Sequence, residues 1–178
     1  AGSVAVWARG GPALVDDLDF VLPPGHVEPA LEVLSALGMR REDPPEDWLV
    51  KAWDGPVLVD LIFLPSGLAI DDALFARADV LDVHGISMPV MAPEDVVIAK
   101  VMSMHEHYLD FAGLLDLCRP VREQVDWEEV RERTSGPYAK SFLVLADELG
   151  LTAAGPRPPP GTVGFPPAER RPARSESA

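Results

Sequence analysis

Cysteine and long apolar runs are scarce in this chain. Its 178 residues include one cysteine, Cys118, which excludes an internal disulfide and which we expect to be a small buried thiol without a catalytic role. No stretch of eighteen or more apolar residues occurs, so the sequence predicts no membrane-spanning helix. The start of the chain has no signal-like segment, and we therefore expect a cytoplasmic protein without a membrane partner.

Basic residues are also few. The chain has three lysines and a formal net charge of -14. A protein that holds many nucleic-acid phosphates needs a surface rich in lysine and arginine, so this balance disfavours a broad nucleic-acid interface. The same negative field would favour a cationic small molecule, although acidity often serves solubility alone.

Hydrophobic periodicity predicts strands in the first part of the chain and helices in the second. Asp54-Gly55 and His84-Gly85 are turn signals that favour two hairpins, and after Pro93 the apolar spacing is helical. Helices are predicted over 3–8, 26–37, 70–77, 93–104, 108–118, 127–133 and 138–149, and strands over 17–22, 48–53, 57–63, 80–83 and 86–90.

These elements predict an α/β (α+β) fold in which a mixed sheet has flanking helices and a C-terminal helical annex. The apolar fraction of 47% is sufficient for a sizeable core. We expect a sheet domain over 1–92, a helical subdomain over 93–151 and a disordered Pro/Arg-rich tail over 152–178, where no apolar period is present.

Three aspartates stand in or beside apolar strands. Asp17 and Asp19 share one face of a strand because strand side chains alternate, and Asp60 interrupts the apolar run 57–63. A buried carboxylate without a partner costs several kcal/mol or takes up a proton. A divalent cation such as Mg²⁺, which binds carboxylate and phosphate oxygens, is the natural partner.

The order of these residues resembles the polymerase-beta-like nucleotidyltransferases. The family carries a Gly-Ser pair, then an Asp-x-Asp flanked by apolar residues, then a single acid on a neighbouring strand. Here these are Gly2-Ser3, Asp17-Leu18-Asp19 and Asp60, and Ala8-Arg9-Gly10 matches the Ala-Arg-Gly often found after Gly-Ser. The chain begins at the Gly-Ser motif without a methionine, so we expect the native N-terminus to lie upstream.

A second motif is similar to the AbiEii and MenT-type toxin branch of that superfamily. The segment 92–100, Ala-Pro-Glu-Asp-Val-Val-Ile-Ala-Lys, resembles its Pro-Glu-x-x-x-x-x-Lys helix, and Asp110 matches an aspartate farther on. The segment 104–110 lacks the basic residues that precede this aspartate in the branch. The resemblance covers about residues 1 to 150.

The resemblance implies a two-metal phosphoryl transfer from an NTP to a hydroxyl acceptor. Gly2, Ser3 and nearby helix amides would hold the phosphates, and Asp17 and Asp19 would bind two Mg²⁺ ions. Asp60 would ligate one metal ion and help to deprotonate the acceptor hydroxyl. Pyrophosphate would leave.

Three further residues are nucleotide-binding candidates by the same resemblance. Arg9 would contact phosphate or acceptor, or else brace the acidic strand. Lys100 would contact the nucleotide, or else keep its ammonium group in water while its stem packs. Asp110 is carried over from the toxin branch. Trp48, with Trp53 and Trp127, is interpreted as a packing residue rather than a base-stacking platform.

The sequence alone does not identify the acceptor. The toxin-like resemblance implies the 3' end of tRNA or a protein, with a cognate antitoxin as a further partner. The acidic charge balance and the short chain also allow an aminoglycoside-type small molecule, and the sequence does not decide between these acceptors. A nucleotide-binding or partner-binding pseudoenzyme is the remaining alternative, against which the presence of all three acids argues.

Overall fold

The computed structural model describes residues 1–12 and 17–153, which form a mixed α+β fold. The described elements, in chain order, are α1 (Gly2–Trp7), β1 (Asp17–Val21), a 3-10 helix (Pro24–His26), α2 (Val27–Ala36), β2 (Arg40–Glu42), β3 (Leu49–Asp54), β4 (Val57–Ile62), α3 (Asp72–Ala76), β5 (Asp79–Val83), β6 (Ile86–Val90), α4 (Pro93–Met102), α5 (Phe111–Cys118), a second 3-10 helix (Arg119–Gln124), α6 (Trp127–Arg133) and α7 (Pro137–Glu148).

The main sheet has four strands in the order β1-β4-β3-β2. Strand β1 runs parallel to β4, whereas β4, β3 and β2 are joined in antiparallel pairs. The two-residue turn between β3 and β4 pairs Asp54 with Val57, and Gly55 adopts a positive φ of 56° there. Strands β5 and β6 form a separate antiparallel pair.

One face of the main sheet is closed by α2. Val27 and Leu31 of this helix are buried in one cluster with Ala52, Val59 and Leu61 from the central strands β3 and β4. Because strand residues alternate, Lys51 of β3 and Asp60 of β4 take the opposite face. The fold thus uses one face of the sheet for packing and leaves the other for polar residues.

A second and larger core joins α1, the β5-β6 pair and helices α4 to α7. Val97, Ile98 and Phe142 are fully buried in it, and so is Cys118. Burial raises the pKa of the Cys118 thiol to about 12, which confirms the interpretation of a buried, unreactive thiol. The core contains residues from both sides of position 92, so the helical segment packs continuously with what precedes it.

Most predicted elements are present with shifts of a few residues at their ends. Strand β2 and the 3-10 helix 119–124 were not predicted, because a three-residue strand and a single 3-10 segment have too few residues for a periodic pattern. Within the part of the chain that the structure describes, no helix is both long enough and apolar enough to span a bilayer. The predicted disordered tail lies outside the described residues from position 154 onward.

Candidate active site

Two adjacent parallel strands bring the three predicted acids together. Asp19 of β1 is the register partner of Asp60 of β4, and Asp17 lies two residues earlier on the same face of β1. One carboxylate oxygen from each of the three lies within 4.8 Å of the other two. Asp60 is buried, with 7% of its surface exposed, and the other two acids are half-buried. The structure therefore assembles the acid triad, Asp17/Asp19/Asp60, that the sequence predicts.

The acid triad is electrostatically strained. Burial, followed by the charge of Asp17, raises the pKa of the Asp19 carboxyl above its ordinary value of 3.8. The charge of Asp60 acts in the same direction, and Lys100 opposes it. A bound cation would relieve this repulsion because it favours the ionised form of every carboxylate around it.

Helix α1 begins against the acid triad, and Gly2 makes this approach possible. Gly2 has a φ of +50°, and a Cβ atom placed there would lie 1.7 Å from Oδ2 of Asp19. The Ala1 amino nitrogen donates to the Asp19 carbonyl oxygen at 2.6 Å. The next side chain, Ser3, has a buried hydroxyl oxygen without a hydrogen-bond partner in the structure. Such a hydroxyl beside the acids is available to a ligand.

A cavity of about 320 Å³ opens at the acid triad. Lys100 of α4 lines it together with the acids and is exposed to solvent. The wall continues along apolar residues at the ends of β1 and β4, Val21 and Ile62, and reaches the 39% exposed Trp48. Gly2, Ser3 and Lys100, three of the five predicted nucleotide ligands, therefore lie together with the triad at this cavity.

Lys51 is a site residue that the sequence analysis missed. Its ammonium nitrogen lies 3.1 and 3.4 Å from the two carboxylate oxygens of Asp60, and the two residues are register partners on β3 and β4. A signal for this pair was present in the sequence. A two-residue turn at Gly55-Pro56 pairs the flanking residues 54 and 57, and that register places 51 opposite 60.

Arg9 does not line the cavity. Its buried guanidinium forms an ion pair with Asp79 at 2.8 Å and donates to the carbonyl oxygens of Val90 and Met91, at 3.3 and 2.9 Å. These contacts fasten α1 to the β5-β6 pair rather than to the acidic strand, because Asp79 is the carboxylate within reach of a side chain directed into the second core. Neither of the roles expected from sequence matches this placement.

Asp110 also lies away from the cavity lining. It is the N-cap of α5, and its carboxylate accepts from the Gly113 amide at 2.8 Å. A helix N-terminus leaves amides unsatisfied, and an aspartate is among the preferred residues for binding them. The exposed carboxylate is therefore engaged in helix capping in this structure.

The Pro-Glu segment that begins α4 divides into structural and cavity-facing residues. The buried Glu94 accepts from the Asp126 amide at 2.8 Å. The fully buried Asp95 is bound by Arg77, at 3.0 and 3.1 Å, and by Arg133. One and a half turns later, Lys100 reaches the cavity. The motif thus joins α4 to its neighbours and presents a single cation to the acids.

The donor set at the acid triad fits a hard divalent cation. Asp17, Asp19 and Asp60 offer carboxylate oxygens, without any sulfur or imidazole among the described ligand atoms within reach. Oxygen-only sites suit Mg²⁺, Mn²⁺ or Ca²⁺ rather than softer metals. The raised pKa of Asp19 and the Ser3 hydroxyl without a hydrogen-bond partner are compatible with a cation and an oxyanion at one place.

The chain is similar to a known protein family and to a solved structure. The sequence model of a family described as "Uncharacterised nucleotidyltransferase" matches residues 14–149, a span that includes the acid triad. A search of solved structures matches the solution structure of the antibiotic-resistance factor ANT(2'')-Ia at 17% sequence identity and a TM-score of 0.45, over 86% of this chain and 83% of that chain. A search of the curated proteins found no match.

Proposed function

The chain belongs to this family of nucleotidyltransferases, and on that premise we propose that it transfers a nucleoside monophosphate from an NTP to a hydroxyl group of a small, cationic acceptor, with Mg²⁺ as the metal. One observation carries the proposal. Three carboxylates whose oxygens lie within 4.8 Å of one another stand at the edge of a cavity that also holds a partnerless serine hydroxyl and a lysine.

The proposed reaction breaks a phosphoanhydride bond of the NTP and forms a phosphoester bond to the acceptor. The acceptor oxygen forms a bond to the α-phosphorus of the NTP, and the bond from that phosphorus to the bridging oxygen of the β-phosphate breaks. The acceptor proton leaves to a base, and the electron pair of the broken bond leaves with pyrophosphate. Divalent ions bound at Asp17, Asp19 and Asp60 would neutralise phosphate charge and lower the pKa of the acceptor hydroxyl.

The side chains around the cavity bind and orient the donor. Ser3 has a hydroxyl that can donate to a phosphate oxygen, and the exposed Lys100 offers a positive charge at the same cavity. The apolar wall at Val21 and Ile62 suits a base or ribose. Side chains take little part in covalent chemistry during such a transfer. Positioning of the substrates and stabilisation of charge therefore account for most of the rate enhancement.

We assign to Asp60 the role of the base that helps to deprotonate the acceptor hydroxyl. It lies on the central strand β4, between the triad acids on β1 and Lys51 on β3. Lys51 fixes its carboxylate through contacts to both oxygens. A base held in one orientation within hydrogen-bond reach of the hydroxyl is the geometry that proton abstraction needs.

The distribution of charge favours a small cationic acceptor over RNA. Every arginine in the described ranges 1–12 and 17–153 forms an ion pair with a carboxylate. RNA binding needs cations that remain available to phosphates, and its affinity comes largely from the counterions released there. With a net charge of -14, the protein would instead attract a protonated amine.

A toxin-like transfer to a tRNA 3' end or to a protein is the second candidate, with a cognate antitoxin as its regulator. Its support is the similarity of the segment 92–100 to the AbiEii/MenT-type motif, in which the last residue, Lys100, lines the cavity. A pseudoenzyme that binds nucleotide without turnover is the third candidate.

Transfer of label tests these candidates together. The chain would be incubated with Mg²⁺ and each α-labelled NTP, with an aminoglycoside mixture or bulk tRNA as acceptor. The matched control is the double variant Asp17→Ala/Asp19→Ala. We expect label on the aminoglycosides, absent in the control. Label on tRNA would support the toxin-like candidate, and Mg²⁺-dependent NTP binding without transfer to any acceptor would support the pseudoenzyme.

A further inference from the structure

The polar face of the main sheet extends past the acid triad. Glu42, Lys51, Asp60 and Asp19 are successive register partners across the four strands, so their side chains share this face. The adjacent row on the same face is Arg40, Trp53, Leu58 and Asp17. Trp53 is therefore a diagonal neighbour of Asp60.

The Trp53 indole is held in place on this face. Its Nε1–H donates to Oε2 of Glu42 at 2.9 Å, and the guanidinium carbon of Arg40 lies 5.6 Å from its ring centroid. Trp53 is half-buried, and α2 packs on the opposite face of the sheet. An oriented aromatic ring whose own face of the sheet is not the packed one is a ready platform for a ligand ring.

The platform and the apolar cavity wall lie on opposite sides of the Asp19–Asp60 pair along the strands. The cavity wall includes Val21 and Ile62, two residues after Asp19 and Asp60, whereas Leu58 precedes Asp60 by two and pairs with Trp53. An in-line displacement needs the attacking oxygen and the leaving group on opposite sides of the phosphorus. If the cavity holds the donor, the Trp53 side is where the acceptor enters.

We propose that Trp53 and Glu42 form the acceptor subsite and select a hydroxylated ring that carries a protonated amine, an inference that rests on the proposed function. The ring would stack on Trp53 and present a hydroxyl to Asp60. Same-face positions on a strand are about 7 Å apart, a distance that one substituted sugar ring spans. The Glu42 carboxylate accepts from Trp53 and Arg40 and keeps acceptor capacity for an amine, since a carboxylate offers about four lone-pair sites.

Trp53 and Trp48 lie on opposite sides of the Asp19–Asp60 pair along the strands, so kinetic assays can compare their variants directly. With neamine, a compound of an amino sugar and an aminocyclitol, as the acceptor, we expect Trp53→Ala to raise the KM for neamine about tenfold and to leave the KM for the NTP unchanged. Trp48→Ala, at the cavity, should show the reverse pattern. Trp53→Phe should recover most of the neamine affinity, and Glu42→Gln should raise the KM for neamine without affecting that for uncharged myo-inositol.

Binding is measured independently of turnover through the indole N–H resonances of ¹⁵N-labelled protein, assigned with Trp53→Phe. Neamine should shift the Trp53 resonance, and a Mg²⁺-bound non-hydrolysable NTP should not. A neamine-induced shift at Trp53 without transfer would contradict the proposed function and leave the subsite standing. Transfer to neamine with an unmoved Trp53 resonance and an unchanged KM in Trp53→Ala would overturn the subsite.

Discussion

Two carboxylates in this protein, the fully buried Asp95 and the half-buried Asp19, have opposite surroundings. Asp95, with 0% of its surface exposed, accepts hydrogen bonds from two arginines, Arg77 and Arg133, that approach from different elements. Asp19 faces two other carboxylates; the charge of Lys100 in the cavity lining acts on it, whereas Lys51 contacts Asp60.

The difference separates a structural charge from a functional one. A buried carboxylate with two arginine partners is neutralised by the fold itself, so its loss would affect stability. A carboxylate among like charges is unfavourable in the protein alone and becomes favourable when a cation binds. Residue type does not distinguish the two sites. The number and sign of neighbouring charges do.

Asp19→Asn should give the largest effect on activity. We expect nucleotidyl transfer to fall by about 10³-fold or more, because the amide cannot replace a charged metal ligand. The midpoint of thermal unfolding in divalent-free buffer should stay the same or rise, since one repelling charge is gone. Activity assays and calorimetry on the same preparation check both parts. A variant that loses activity only because it unfolds would contradict the comparison.

Asp95→Asn should give the complementary result. Removing the charge leaves Arg77 and Arg133 without their buried partner, and we expect the free energy of unfolding to fall by about 3–5 kcal/mol. Transfer activity per folded molecule should be retained. Urea denaturation measures the loss. The control is Asp116→Asn, which breaks the exposed pair with Arg119 and should cost less than about 1 kcal/mol.

Lys51→Met tests the cation that the fold itself supplies to the triad. Because Lys51 and a metal ion both interact with Asp60, we expect the affinity for Mn²⁺ to increase about fivefold when the lysine charge is removed. Calorimetric titration measures this affinity. Lys51→Arg should behave as the wild type, and Lys140→Met, an exposed lysine on α7, should change nothing. Weaker Mn²⁺ binding in Lys51→Met would show that Lys51 mainly orients Asp60.

We expect the smallest effects in the pH dependence of folding stability and of divalent-ion affinity. The pKa of Asp19 in the folded protein is raised above its ordinary value of 3.8. Protonation of Asp19 therefore stabilises the folded state fully at pH values below 3.8, and this contribution is lost as pH rises through the folded pKa. A divalent ion needs the ionised form, so its affinity should fall as pH decreases through the same window. Unfolding with and without Mn²⁺ across this range checks both signs, and Asp19→Asn should remove both dependences.

The sequence predicted the acid triad because strand parity is a local property. Asp17 and Asp19 share a face in any extended strand, and the apolar run around Asp60 could only be a strand in the interior. The helices α6 and α7 were also predicted to within about one residue from their apolar spacing and stop signals. Patterns of this kind depend on residues close in sequence.

Partners distant in sequence were not predictable in the same way. Arg9 lies 70 residues from Asp79, and both Arg77 and Arg133 meet Asp95 across different elements. Which arginine pairs with which carboxylate depends on how the helices pack. Several different pairings are equally compatible with the sequence. The β5-β6 hairpin was predicted from its turn, but its separation from the main sheet and the use of Asp110 as a helix cap depend on tertiary packing.

Three aspartates in strand positions and a Gly-Ser pair were enough to predict from the sequence which residues would gather at the site and that a cation and a phosphate would suit them. Only the tertiary structure decided which charges surround each acid. It paired Asp95 with two arginines, gave Asp60 one lysine, and left Asp19 among like charges. The physical reason is that Coulomb energies depend on distances in space, which side-chain periodicity along a chain does not specify.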